Sequence, residues 1–441
     1  SAASDVYKRQ EYGDTFEIQG AEQKTHEMTV YFHPGAGSAS AIGPVLSGML
    51  EPIQVSPSTA SYYFSTGAMT YDDSTRQGQK GADGSLEATM DTTLYPRGSD
   101  TRTYTSQWEQ SDEFGWRNYG DMIADHEEPC TADQNPYSTA PITHYNNQYD
   151  YVQGLLHLYA RTLDRGLLEV GMVAARHTAD IDVNHTTKDY AAYNGGMFWH
   201  TTHDVWADTS SHRSYPATSV SSPCTPYTAG GPGLGHLWMD GLSLHYWMTG
   251  DLVVRDTIVE LGNYAITRYT KYGDETDGRS MGNLMRSLVS VYRVTGDVNV
   301  YNAMISVLKG GVSKRVSAST GTEWMDSLVG VALGQFLEMK VGWGQSGDAD
   351  FNTAQSLLNT LANKVYNASI PNDINQLRWA DTLAFAYRHC GKNTNYLTKA
   401  KSLYSYQETY YWLRGTYPEA KELAIILNAG SLVRYYRSIG L

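Results

Sequence analysis

Three clusters in the middle of the chain combine the side-chain types that transfer protons in enzymes. The first is His144-Tyr-Asn-Asn-Gln-Tyr-Asp150, at the predicted start of a helix. The second is Trp199-His-Thr-Thr-His-Asp204, followed by His212 and Arg213. The third is Gly235-His-Leu-Trp-Met-Asp240, whose His236 and Asp240 share one helix face. Ten of the 13 histidines lie between residues 126 and 245, which indicates that this region carries the chemistry.

A set of His, Tyr, Asn and Arg side chains suits β-elimination at a uronic acid. Asn or Arg neutralises the sugar carboxylate and so lowers the pKa of the C5–H, a base removes that proton, and an acid protonates the leaving oxygen. We expect His203 or His236 to be the base, Tyr149 or Tyr193 the proton donor, and Asn147 with Arg213 the carboxylate neutralisers. The predicted catalytic residues are His200, His203, His236, Tyr149 and Tyr193. The predicted substrate-binding residues are His144, Asn146, Asn147, Arg213, Trp199, Trp238, Asp240, Trp116, Asp121 and His212.

Other chemistries fit parts of the same pattern. His200, His203 and His212 are a candidate zinc set, although His-x2-His in a loop is a weak signal, and calcium is a second candidate; we expect no metal and no cofactor. Paired carboxylates would instead hydrolyse a glycoside. The candidate acids are Asp121, Asp125, Glu127, Glu128, Asp150, Asp208 and Asp240. A glycan-binding protein without catalytic activity is the third alternative, and Asn146 and Asn147 would then be helix caps.

Composition excludes several classes of protein. Of 441 residues, 33 are Lys or Arg and 47 are Asp or Glu, so the net charge of −14 argues against a nucleic-acid partner. We find no apolar run long enough to span a membrane. Tyrosine is abundant, 34 residues against 8 phenylalanines, and rings with a polar tip either stack on sugars or pack between helices. A lysine-poor chain rich in Tyr, Thr, Ser and Asn is typical of a secreted or periplasmic protein, in which Cys130 and Cys224 could pair.

The chain is predicted to be mainly α. The first ten residues, SAASDVYKRQ, resemble translated sequencing-adapter read-through. Residues 11–80 are predicted to be strands and loops from a partial β-sandwich domain. Residues 81–441 are predicted to form the helical catalytic domain. The tips Thr249-Gly-Asp251, Thr295-Gly-Asp297 and Ser346-Gly-Asp348 predict repeated helical hairpins, with Gly ending one helix and Asp capping the next. Such hairpins form an open solenoid or a closed (α/α)6 toroid, and we favour closure. The predicted helices are 85–95, 145–163, 165–183, 233–249, 251–270, 278–294, 297–313, 322–341, 350–367, 375–391, 394–411 and 418–439.

Several stretches, taken in order, resemble the exo-rhamnogalacturonan lyase-like family of polysaccharide lyases. They are KTHEMTVYFHPG (24–35), FGWRNYGD (114–121), YNNQYDYVQGL (145–155), AARHTADIDVNH (174–185), FWHTTHD (198–204) and GHLWMDGL (235–242). The resemblance implies an N-terminal β-sandwich, of which residues 11–80 would be the remnant, followed by an (α/α)6 toroid. It also implies elimination on an acidic, rhamnogalacturonan-like polysaccharide or oligosaccharide.

Overall fold

The structure is a computed structural model in which a long C-terminal helical region is described almost without interruption. It describes residues 21–26, 28, 30, 32, 35, 38–50, 55–69, 85–91, 106, 108–109, 114, 118–122, 145–198, 231–273, 275–414 and 420–441. Within these residues the fold is mainly α-helical, as predicted, and contains no β-sheet. An isolated antiparallel bridge joins Val183 and Met197. None of the helices in the described ranges is long and apolar enough to cross a membrane.

The helices are numbered α1 to α16 along the described chain. Their bounds are α1 (Ala39–Leu50), α2 (Ser61–Ser65), α3 (Leu86–Asp91), α4 (Tyr151–Thr162), α5 (Arg165–Asp180), α6 (Asp240–Thr249), α7 (Leu252–Thr267), α8 (Gly278–Thr295), α9 (Val298–Val307), α10 (Ser313–Ala318), α11 (Asp326–Gly342), α12 (Ala349–Asn367), α13 (Gln376–His389), α14 (Thr394–Arg414), α15 (Ala420–Asn428) and α16 (Ser431–Ser438).

Two of the three hairpin tips are built as their sequences predict; at the third, Asp348 caps α12 as predicted, but α11 ends at Gly342 and not at Gly347. Gly250 and Gly296 end α6 and α8 in the left-handed conformation, with φ of +73° and +67°. Asp251 and Asp297 then cap α7 and α9 by accepting backbone N–H groups. A residue at positive φ ends a helix without strain only if it lacks a Cβ, and a carboxylate satisfies the first free amides of the next helix. These short tips place consecutive helices side by side.

Predicted helix boundaries differ from the structure at several points, of which three bear on the site. The first predicted helix of the clustered region starts at Tyr151 rather than 145, because residues before it have positive φ. The helix predicted from 233 starts at Asp240, after a short 3-10 turn at Leu234–His236. The last predicted helix is divided in two at Gly430, whose φ is +81°.

Residues 11–75, predicted as strands and loops, contain helices and no strand where the structure describes them. Ala60 and Phe64 are both buried and stand four positions apart, which is the helical period. Phe64 packs edge-on against His157 of α4, and Tyr63 packs against Tyr159. The aromatic stretch 61–67 therefore follows the contact surface of α4 and not the edge of a sheet. Cys130 and Cys224 lie outside the described residues.

The helices from α4 onward pack in two sets. The members of the first set contact one another in the order α4, α6, α8, α11, α13 and α16, and α15 contacts α4. The members of the second set, α5, α7, α9, α12 and α14, each pack on the preceding helix of the first set. α16 follows α15 directly in the chain, so the end of the first set lies next in sequence to the helix that contacts α4.

Candidate functional site

A cavity of about 440 Å³ lies among the helices of the first set. Five of these helices each contribute residues from one face, spaced three, four or seven positions apart. The lining residues include Gln153 and His157 of α4; Asp240, Leu244 and Trp247 of α6; Arg286, Ser290 and Arg293 of α8; Leu328, Gln335 and Glu338 of α11; and Arg378, Asp381, Phe385 and Arg388 of α13. The volume is in the usual range for pockets that bind small ligands.

Most of the charged groups of this cavity neutralise one another. Arg286 donates to Asp240 at 2.7 Å, and Arg388 lies 2.5 Å from Glu338. Arg293 donates to the Gly67 carbonyl at 2.7 Å. Arg293 thus has no carboxylate partner among the described residues, but its side chain is only half-buried. Arg378, described next, is the more deeply buried of the two arginines.

Arg378 is a buried cation without an acidic partner. Its side chain is 4% exposed, it lines the cavity, and it forms no ion pair with any carboxylate of the described residues. Its Nη1 donates to Asn375 Oδ1 at 2.7 Å, and its guanidinium lies 5.1 Å from the centre of the Tyr149 ring. Burial lowers the pKa of Arg378 to about 10, and the guanidinium of Arg286 acts in the same direction. Burying an unpaired charge is costly, so this position favours an anion in the cavity.

Tyr149 reaches the cavity from a segment of unusual backbone conformation. Asn146, Asn147, Tyr149 and Asp150 all have positive φ, between +47° and +61°. Asparagine and aspartate tolerate this region, but for tyrosine it costs about 1–2 kcal/mol. Such strain persists only where surrounding contacts fix the backbone, and it concentrates at functional sites.

The contacts that fix this segment come from two other parts of the chain. Asn428 Nδ2 donates to the carbonyls of Tyr149 and Asp150 at 2.9 and 2.7 Å. Gln148 Oε1 accepts from His236 Nδ1 at 2.9 Å and from Trp238 Nε1 at 3.1 Å. These hydrogen bonds compensate for the strain and hold the Tyr149 ring against the cavity.

Asp150 joins the strained segment to the start of α6. Its carboxylate accepts the backbone N–H groups of Asp240 and Gly241 at 3.0 and 3.1 Å. A Cβ on Gly241 would lie 2.7 Å from Asp150 Oδ1, so this close approach requires glycine. Burial and the charge of Asp240 raise the pKa of Asp150 to about 7. Burial opposes ionisation of Asp240 too, but the Arg286 ion pair and the Ser290 hydroxyl hold its pKa below the usual range.

The predicted site residues that the structure describes fall mainly in two regions. Tyr149 and Asp240 line the cavity. The other members of the first and third clusters surround the strained segment: Asn147 Nδ2 donates to the Trp238 carbonyl at 3.3 Å, and Asp121 Oδ1 accepts from the Asn146 N–H at 3.1 Å. Tyr193 is half-buried beside Tyr190, with ring centres 4.9 Å apart, and does not line this cavity.

Several predicted site residues lie outside the described residues. They are His144, Trp116, Trp199, His200, His203, His212 and Arg213, together with the candidate acids Asp125, Glu127, Glu128 and Asp208. The candidate zinc set of His200, His203 and His212 belongs to this group.

Sequence analysis did not single out the cavity arginines or assign a functional role to His157. Arg286, Arg293, Arg378 and Arg388 lie in the second half of the chain, within helices and away from the histidine-rich loops. His157 was expected to be a packing residue; it is 5% exposed, packs on Phe64, and lines the cavity. The sequence signal that could have identified the cavity arginines is an arginine in an otherwise apolar helical run, as in Leu377-Arg-Trp-Ala.

A cluster of three buried polar residues combines residue types that bind metals. Asp121, His177 and Asp182 are each 1% exposed or less, and one ligand atom from each lies within 4.8 Å of the others. His177 Nε2 is 3.3 Å from Asp182 Oδ1 and 3.6 Å from Asp121 Oδ2. Burial alone would lower the pKa of His177, but the carboxylates of Asp182 and Asp121 raise it to about 10.

Comparison with known proteins adds no assignment. No family model matches the chain, and no curated protein matches it.

Proposed function

We propose that the chain is a polysaccharide lyase that cleaves an acidic, uronate-containing glycan by β-elimination, within an (α/α)6 toroid. The toroid is supported by the order of helix contacts, which runs from α4 through the first set to α16, and by the contact of α15, the helix before α16, with α4. One face of each of five helices borders a common cavity, as the centre of such a toroid requires. The proposal covers residues 81–441, since the described part of residues 11–80 contains helices and no strand.

The observation that carries the function is the buried, carboxylate-free guanidinium of Arg378 in the cavity wall. A uronate carboxylate would supply the missing negative charge, and arginine binds carboxylates through two parallel hydrogen bonds. Neutralising that carboxylate stabilises the negative charge that develops when the C5 proton leaves. Arg378 thereby takes the role that sequence analysis gave to Asn147 and Arg213.

Tyr149 and His157 are the proton-transfer side chains that we assign to the cavity. The base takes the C5 proton, the electron pair of that bond forms the C4–C5 double bond, and the C4–O bond breaks. The acid then donates a proton to the leaving oxygen. Tyr149, held beside Arg378, is our proton donor, and His157 is our base; His203 and His236 stay as predicted alternatives for the base.

Aromatic rings complete the sugar site. Trp247, Trp343 and Phe385 border the same cavity as Arg378. Their flat faces match the apolar faces of pyranose rings, and the adjacent polar groups would bind hydroxyls.

The arrangement is less suited to a glycoside hydrolase. That reaction needs a carboxylic acid that keeps its proton near neutral pH and faces the substrate. Asp240 and Glu338 are held in ion pairs, and Asp381 accepts the Gly430 N–H at 2.6 Å. Asp150, whose pKa is raised, is 1% exposed and does not line this cavity.

The deciding experiment mixes the full chain with rhamnogalacturonan, other pectic glycans, ulvan-type glycans, glucuronan and a neutral glucan. Ultraviolet absorbance of the 4,5-unsaturated uronate and release of reducing ends are followed together. We expect both to rise on at least one acidic glycan and neither on the glucan. Reducing ends without absorbance would establish hydrolysis instead, and saturable binding without either would establish a non-catalytic glycan-binding protein.

A variant pair tests the assignment within the active chain. Arg378→Gln removes the unpaired cation, while Arg165→Gln removes an arginine exposed on α5 in an ion pair with Glu169. We expect loss of activity in the first variant and unchanged activity in the second. Equal activities would contradict the role of Arg378.

A further inference from the structure

None of Asp121, His177 and Asp182 lines the cavity, and the group is built from two separate parts of the chain. Asp121 lies in the short segment 118–122, His177 in the last turn of α5, and Asp182 just after that helix. All three side chains are 1% exposed or less. The mechanism proposed above uses none of them.

The charge of this group is not balanced by the three residues themselves. When both buried carboxylates are ionised they carry two negative charges, and one imidazolium supplies only one positive charge. A divalent cation with a neutral imidazole would make the set neutral. Buried charges are stable only when paired or bound to a metal.

The geometry around Asp182 is that of ligands and not of hydrogen bonds. Neither carboxylate oxygen of Asp182, which is 0% exposed, has a hydrogen-bond partner within the described residues. Its ion-pair contact with His177 Nε2 spans 3.3 Å, and His177 Nε2 is 3.6 Å from Asp121 Oδ2. Ligands about 2.0–2.1 Å from a tetrahedral zinc ion are about 3.3–3.4 Å apart, close to these two separations.

We propose that Asp121, His177 and Asp182 bind a structural zinc ion. One imidazole nitrogen with two carboxylate oxygens is a donor set that zinc accepts. Calcium requires six to eight oxygen ligands, and magnesium requires an octahedron that keeps several waters, so both fit this enclosed set less well. The three side chains supply three of the four positions of a tetrahedral zinc ion, and their burial away from the cavity favours a structural role over a catalytic one.

The position of the proposed ion indicates which segments of the fold it would stabilise. The Oδ1 atom of Asp121 accepts the Asn146 N–H at 3.1 Å, and the Met122 carbonyl accepts the Tyr145 N–H at 2.9 Å. A metal on Asp121 Oδ2 would therefore fix segment 118–122 to α5 and support the start of the strained segment that carries Tyr149.

The test measures the metal content of the untagged full chain, purified without chelator, by mass spectrometry. We expect about one zinc ion per chain, and a fall in Tm of about 5 °C or more in chelator that added Zn²⁺ reverses. Asp182→Asn should lose the ion and its chelator sensitivity. The matched control is Asp180→Asn, a buried carboxylate two positions earlier, at the end of α5, that instead accepts the Thr25 N–H and hydroxyl at 2.8 Å; it should keep the ion.

Metal analysis of the unmodified chain decides the matter even if Asp182→Asn does not fold. Fewer than about 0.1 equivalents after zinc loading and dialysis, with a Tm indifferent to chelator, would overturn the site. One equivalent of a different divalent ion would overturn the assignment to zinc. Because metal content is independent of glycan cleavage, either result leaves the proposed lyase activity to its own test.

Discussion

The guanidinium of Arg378 lies over the ring of Tyr149, 5.1 Å from its centre, at the wall of a polar cavity. The two side chains come from α13 and from the strained segment before α4. The pair therefore places a buried cation without a carboxylate partner beside a phenol in one site. Removing the charge of Arg378 should therefore raise the stability of the protein and lower its activity.

Replacing Arg378 by methionine should stabilise the free protein while removing activity. The substitution removes an unpaired buried charge, so we expect the free energy of unfolding to rise by about 1–3 kcal/mol. Loss of carboxylate neutralisation should lower kcat by about 100- to 1000-fold. Denaturant unfolding and the absorbance assay measure the two effects. A destabilised variant with normal kcat would show that Arg378 is structural.

Replacing Tyr149 by phenylalanine separates the hydroxyl from the ring. The hydroxyl makes no hydrogen bond with the described residues, whereas the ring packs against Trp238 with centres 5.5 Å apart. We expect unfolding free energy to change by less than about 0.5 kcal/mol, since packing is kept. As the proton donor is lost, kcat should fall by about 100- to 10,000-fold. Tyr63→Phe, which alters a tyrosine packed on Tyr159, is the control and should retain activity.

Replacing Asn428 by alanine should release the strained segment. The side chain donates to the Tyr149 and Asp150 carbonyls, and an unsatisfied buried carbonyl costs about 1–3 kcal/mol. We expect a loss of at least about 2 kcal/mol in unfolding free energy, together with a lower kcat as Tyr149 loses its position. Asn299→Ala, at an exposed position of α9, should change neither quantity. Unchanged kcat in Asn428→Ala would mean that the segment holds its shape without this contact.

The raised pKa of Asp150 predicts a specific pH dependence of stability. In the folded protein burial raises this pKa to about 7, whereas the unfolded chain has about 3.9. Between these values the folded state retains a proton that the unfolded state releases, so unfolding free energy falls as pH rises. The contribution is at most about 1.4 kcal/mol per pH unit, between pH about 4 and 7.

Urea unfolding at several pH values measures this slope. Asp150→Asn should lack the Asp150 contribution, while Asp256→Asn, an exposed carboxylate on α7, should retain it. Equal slopes in the Asp150→Asn variant and the unmodified chain would contradict the assignment.

The sequence predicted the helical hairpins because their signals are local. Gly250 and Asp251 define a helix end and a helix start within two residues, and the structure confirms both. It also pointed to the segment 144–150 through its polar composition. It could not predict that Tyr149 has positive φ, because that conformation depends on Asn428, which lies 279 positions away.

The cavity arginines were missed for a related reason. An arginine in a helix is normally exposed, and only the packing of neighbouring helices buries Arg378 without a carboxylate partner. The stretch 61–67 also differs from the predicted strands and loops, because it forms a helical turn along the surface of α4. Long-range packing, which no local pattern records, decides both features.

The contact between the end of the chain and α4 affects how the protein is made. Residues of α15 and α16 leave the ribosome after all the other helices of the first set, yet Asn428 supplies two of the hydrogen bonds that shape the segment before α4. Earlier helices can pair as they emerge, but the cavity wall is incomplete until α15 and α16 have been synthesised. Nascent chains should therefore expose apolar helix faces for most of their synthesis, making chaperone contact more important here than in a protein whose domains close one after another.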